Sequence, residues 1–225
     1  MSEHNFPMNQ LKIKHLQESI IRFYQNEGRK FPWRTSHSPY VTLVSEILLQ
    51  KTTSKQVLEV FHEFFRKFPT INSLATADPR EIEAIVGKLG LAKRAGFLKE
   101  LAETIINELG GKIPDSTKEL LKLKGVGLYT ANAVLCFAFN KRAPVVDSNV
   151  ARILRRYFGV EGKKPAYADR QIWKIAEAVL PNKNFREFNY GLLDLAAKYC
   201  HPKEPECKKC PLRTHCSFRN KISLS

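Results

Sequence analysis

Near one end of the chain, CHPKEPECKKCPLRTHC places Cys200, Cys207, Cys210 and Cys216 at the spacing C-x6-C-x2-C-x5-C. Thiols this close bind metal where a reducing compartment keeps them from pairing as disulfides, and either zinc or an iron–sulfur cluster takes four of them. The fifth cysteine, Cys136 in AVLCFAF, lies alone among apolar residues and reads as a small buried hydrophobe. Around the four, Lys203, Lys208, Lys209, Arg213 and Arg219 offer charge to a polyanion.

A second group sits in LKGVGLYT, residues 123–130. Gly125 and Gly127 flank Val126 between two helical patterns, so the backbone can turn tightly and leave N–H groups at the start of the second helix. Such a turn holds a phosphate through those donors and the positive end of the helix dipole. Lys122 and Lys124 add charge beside it, although the same residues also make an ordinary interhelical turn. Twenty residues past Gly127, Asp147 precedes SNVARILRRYFG, where a helix N-cap belongs. N–H donors and the dipole keep a carboxylate there ionised, as suits a group facing a developing cation.

A third candidate is Glu46. In PYVTLVSEILLQKTT, Leu43, Val44, Ile47 and Leu48 form an apolar stripe with Glu46 at its border. Partial desolvation raises a carboxyl pKa and suits the group to donate a proton or position water near neutral pH, while an exposed glutamate at the stripe's edge is the plainer reading.

The elements that must carry these residues are helical. Apolar spacing predicts helices over about 11–25, from just after Pro39, and over about 57–68, 79–88, 95–109, 118–123, 129–139, 148–157, 168–180 and 185–199. Polar breaks such as FPTINSLATAD, GLAK and GGKIPDS separate them, and only short runs such as APVV look like strand, so the fold class is all-α.

With 225 residues, 43% hydrophobic and 26% charged, the chain can bury a core as one large or two small domains. Thirty-seven Lys and Arg against 22 Asp and Glu give a net charge of +15, spread along the chain, which points to nucleic acid ahead of a membrane surface. No run of about 20 apolar residues offers a membrane span and the amino terminus shows no apolar signal core, so no membrane partner and a cytoplasmic, nucleoid-associated location are expected.

LKGVGLYTANAVL followed by KRAPVVDSNVARIL resembles the helix-hairpin-helix and Gly/Pro/Asp signature of the endonuclease III and adenine glycosylase superfamily of DNA repair enzymes. The cysteine spacing matches the [4Fe-4S] loop of that superfamily, and the resemblance spans residues 31–218. Asn140, where many relatives carry Gly, is a departure at a single turn residue. The resemblance implies two helical lobes: residues 1–30 with 140–225 carrying the iron–sulfur loop, and residues 31–139 carrying the helix-hairpin-helix.

It also implies roles. Lys124, Gly125, Val126 and Gly127 grip DNA phosphate, Asp147 is essential to catalysis, and Glu46 assists base departure or water activation. Gln50 or Lys51 fills the gap left by an extruded base, Leu91 is a wedge, and Ser54 and Tyr190 belong to the base pocket. Cys200, Cys207, Cys210 and Cys216 hold a [4Fe-4S] cluster. Members that cut the backbone as well carry Lys where Tyr129 stands; a phenol forms no Schiff base, so Tyr129 marks a monofunctional glycosylase that uses water. LLQKTTSKQV is closer to the thymine-mismatch group, adenine glycosylases typically have Gln at Tyr190, and they usually add a carboxy-terminal domain, whereas this sequence ends nine residues after Cys216. The expected reaction is removal of T or U opposite G from double-stranded DNA by a monomer, with removal of A opposite G or 8-oxoguanine as the alternative. A DNA-binding module without catalysis would share the charge, hairpin and cysteines, but has no use for both Glu46 and Asp147; a zinc-stapled nucleic-acid adaptor is separated by colour, since an iron–sulfur protein purified without oxygen is brown.

Overall fold

A computed structural model describes residues 9–90, 94–162 and 164–222. In chain order the helices are α1 Gln10–Glu27, α2 Pro32–Thr35, α3 Pro39–Leu49, α4 Ser54–Lys67, α5 Ile71–Ala75, α6 Pro79–Val86 and α7 Arg94–Leu109. They continue as α8 Thr117–Leu120, α9 Leu128–Phe137, α10 Ser148–Phe158, α11 Arg170–Val179, α12 Phe185–Lys198 and α13 Ser217–Ile222. No strand occurs among the described residues, so the all-α expectation holds. The chain divides into two units, Met1–Arg29 with Arg142–Ser225, and Lys30–Lys141.

Within Lys30–Lys141, α3 packs on α9. Both are buried almost all round, which is why their sequences are nearly free of charge: Leu43, Val44, Ile47 and Leu48 on α3 face the core, as do Ala131, Ala133, Val134, Cys136 and Phe137 on α9. Helices α4, α5, α6 and α8 start at side-chain caps, as does α3. Thr53 and Gln56 form a capping box at α4, Ser38 caps α3 ahead of Pro39, and Asp78 caps α6 ahead of Pro79.

The unit built from the two ends of the chain is centred on Leu16, Ile20 and Phe23 of α1, Ile153, Leu154 and Tyr157 of α10, and Phe188, Leu192 and Leu195 of α12. α1 and α12 cross at Gly191, where an added Cβ would lie 2.7 Å from Ile20 Cγ2 and 2.8 Å from its carbonyl oxygen. Any larger residue forces the helices apart.

Four local features differ from the periodicity. α2, α5 and α13 are too short to register as periodic; α5 nonetheless forms inside the predicted break FPTINSLATAD because Thr70 and Ser73 cap its start reciprocally. α9 ends at Phe137, and Asn140 turns the chain with φ 52°, a left-handed conformation that Asn tolerates better than most residues. The strand-like APVV segment forms no ladder. Asn189 replaces one: its Oδ1 accepts from the Val145 N–H at 3.1 Å and its Nδ2 donates to the Ala143 carbonyl at 3.0 Å. Leu91, the proposed wedge, lies outside the described residues.

Candidate functional site

In Lys30–Lys141 the GVG turn separates into two glycines with different reasons to be glycine. Gly125 has φ 70°, and a Cβ on it would fall 2.3 Å from the Phe97 ring, so neither the backbone nor the packing admits a side chain. Gly127 has an ordinary φ of −87° and open space where a Cβ would go. It is the N-cap of α9, without a capping side chain, and exposed. What glycine provides there is a helix start that its own N-cap residue does not cover with a side chain, as an incoming phosphate requires. Val126 differs from its neighbours, since its side chain is buried and its N–H donates to the Leu123 carbonyl at 3.1 Å. Lys124 is exposed and paired with the Glu100 carboxylate at 2.7 Å.

Tyr129 is half-buried in the first turn of α9. Glu46 is only 5% exposed, well inside α3 instead of at the edge of its apolar stripe, because the neighbouring Thr42 and Ser45 are buried as well. One turn further on, Gln50 ends α3 and Lys51 follows with φ 59°. The Gln50 amide donates to the Gly125 carbonyl at 3.3 Å and to the Thr130 hydroxyl at 3.4 Å, joining this turn to the hairpin. Ser54 is the half-buried first residue of α4.

In the terminal unit, Asp147 is half-buried and caps α10. Its Oδ1 accepts from the backbone N–H groups of Asn149 at 2.9 Å and Val150 at 2.7 Å, and its Oδ2 accepts from the Asn149 side chain at 2.7 Å. These three hydrogen bonds fix the plane of the carboxylate. The rest of α10 grips the cysteine segment. Arg152 donates through Nε to the Cys200 carbonyl at 2.8 Å, and Arg156 donates to Cys200 Sγ at 3.3 Å and to the carbonyls of His201 and Pro202 at 2.6 and 2.8 Å.

Cys200, Cys207, Cys210 and Cys216 line one cavity together with Ile153, Tyr157, Leu195 and Leu212. Burial pushes the Cys210 thiol up to about 12 and also raises Cys207 and Cys216, each raised further by neighbouring cysteines. Thiols held so close become thiolates when a cationic group shares the cavity. Among the described residues no set of three or more His, Cys, Asp or Glu is arranged around a single metal ion. Tyr190 is buried on α12 and stacks on Tyr24 with ring centroids 5.9 Å apart.

Three supporting residues escape a reading of spacing alone. Arg94 and Arg156 act on carbonyls far along the chain, and Asn149 supports a carboxylate two positions away. Only Asn149 left a local signal, a side-chain amide two residues past the cap.

Residues 44–178 match the family model described as HhH-GPD superfamily base excision DNA repair protein. A thymine/uracil-DNA glycosylase of Methanothermobacter thermautotrophicus is 39% identical over 213 residues, covering 94% of this chain and 96% of the relative. One of Pyrobaculum aerophilum is 40% identical over 210 residues, 91% of each. The solved structure of a thermostable thymine-DNA glycosylase superposes with a TM-score of 0.90 at 39% identity, covering 94% of this chain and 98% of that one.

Proposed function

The chain belongs to the HhH-GPD superfamily of base excision DNA repair proteins, and on that footing we propose that it is a monofunctional DNA glycosylase removing T or U opposite G from duplex DNA. One observation carries the chemistry: the Asp147 carboxylate is fixed in place by three hydrogen bonds at the start of α10, the kind of group needed opposite a sugar that becomes cationic as its base leaves. Water attacks C1′, the N-glycosidic bond breaks with its electron pair going to the base, the base takes up a proton and the water gives one up. Asp147 stabilises the positive sugar, and buried Glu46 moves the proton. Tyr129 shapes the pocket and supplies no amine, so the strand stays intact. The choice of base rests on near-full-length relatives with that activity.

The hairpin from Lys124 to Gly127 binds backbone phosphate through the N–H groups beginning α9, while Val126 contributes packing beneath it. Cys200, Cys207, Cys210 and Cys216 hold a [4Fe-4S] cluster, which supplies a rigid, charged anchor for the loop and, where its potential is reached, one-electron chemistry. Its test is chemical: protein purified without oxygen should be brown and contain four irons per chain, and Cys210→Ser should lose them. One zinc and no colour would refute the cluster.

Base release decides the function. Duplexes carrying T, U or A opposite G, and A opposite 8-oxoguanine, are incubated with equal enzyme; free T and U should appear fastest, leaving abasic strands that break only after alkali or heat. Faster release of A would overturn the base assignment. Efficient borohydride trapping of a covalent complex would overturn the monofunctional one.

A further inference from the structure

The turn after α3 is held in a conformation its sequence does not favour. Lys51 has φ 59°, in the left-handed region that strains any residue with a long side chain. The carbonyls on its amino-terminal side are gathered by one guanidinium. Arg94 donates through Nη1 to the carbonyls of Ile47 at 2.8 Å and Leu48 at 3.3 Å, and through Nη2 to that of Gln50. On the other side the Thr52 hydroxyl donates to the Leu48 carbonyl. A helix end leaves these carbonyls unsatisfied, and a cation there also meets the negative end of the dipole.

Arg94 opens α7, and one turn along it Phe97 presses against Gly125. The same short helix segment therefore fixes both the 50–52 turn and the hairpin. Gln50 is occupied by the bridge between them, its amide donating to the Gly125 carbonyl and the Thr130 hydroxyl. Lys51 is the exposed side chain at the tip.

Resting on the glycosylase reading above, we infer that Arg94 is a positioning residue that locks this turn so that Lys51, and not Gln50, enters the duplex where the target base has left. A lysine suits the place. Its four-carbon stem fills a gap in the stack, and its ammonium donates to O6 of the guanine left without a partner. A lysine does not suit position 94, because a point charge cannot reach three carbonyls as a planar fork does.

The test uses a duplex with 2-aminopurine beside the T opposite G, whose fluorescence rises when the target base leaves the stack. It compares the unaltered protein with R94K, R94Q, K51S and R94K/K51S, alongside single-turnover base release, affinity for fully paired duplex, and melting. R94K and K51S should each cut the fluorescence rise and the release rate by about fivefold or more, with affinity for paired duplex changed less than about twofold. The double variant should be no worse than the poorer single one, since both act through one group. R94K behaving as unaltered protein would overturn the inference. So would single effects that multiply in the double variant, or losses that merely follow the unfolded fraction in R94Q. A fluorescence rise without base release would sink the glycosylase reading and leave the positioning of Lys51 standing; no rise at all with the unaltered protein would overturn that positioning.

Discussion

α9 and α10 are helices of similar length that begin at similar turns, and they use their amino termini in opposite ways. α9 starts at Gly127 with no capping side chain, so its dipole and donors are offered outward. α10 starts at Asp147, whose own carboxylate takes the donors. The backbone physics is the same in both, about half a positive charge and a few N–H groups without partners. A single residue decides whether the end becomes a site for an external anion or a mount for an internal one.

The largest expected effect comes from removing the internal anion. Asp147→Asn keeps a good N-cap, so stability should change by less than about 0.5 kcal/mol, while single-turnover base release falls by about 10²–10³-fold. Turnover near that of the unaltered protein would show that the carboxylate at α10 is only a cap. Next, Gly125→Ala puts a side chain at φ 70° against Phe97 and should cost about 1–3 kcal/mol in thermal or denaturant unfolding. A smaller loss would mean that Phe97 swings aside.

Gly127→Asp turns the start of α9 into a copy of the start of α10. The site has room and an ordinary φ, so stability should rise by up to about 1 kcal/mol while affinity for any duplex, matched or mismatched, drops by about tenfold. Unchanged affinity in a filter or anisotropy titration would reduce the hairpin to a connection. The smallest change is expected from Glu100→Gln. It frees Lys124 from an exposed ion pair and should tighten duplex binding by a factor of about 2–5 at low salt, fading as ionic strength rises. Weaker binding would mean that Glu100 orients Lys124 and does not compete for it.

The sequence revealed parts of this contrast unevenly. Asp147 as a cap was legible because a cap and its helix are neighbours in the chain, and the helices themselves declared their periods. The grouping of the cysteines could be read from their spacing, which confines them to one short segment. The differing reasons for Gly125 and Gly127 could not, since one depends on Phe97, 28 positions away, and the other on the absence of any neighbour. Glu46 looked like an edge residue because an amphipathic stripe was assumed, whereas α3 is covered on nearly every side. Val126 looked like part of the phosphate grip, yet its N–H closes the turn internally. Whatever depends on contacts between distant segments, such as Arg94 on the end of α3 or Asn189 standing in for a strand, leaves no periodic trace.

The crossing of α1 and α12 at Gly191 has a consequence for how the chain is made. The apolar face of α1, with Leu16, Ile20 and Phe23, leaves the ribosome well before Phe188, Leu192 and Leu195, against which it packs. At synthesis rates of about 5–20 residues per second, that face waits roughly 10–30 s for its partner. Lys30–Lys141, by contrast, is contiguous, so the contacts within it can form once Lys141 emerges. Nascent chains stalled shortly after residue 141 should therefore carry a protease-resistant middle and a cleavable α1, which makes α1 the segment most in need of a chaperone while translation continues.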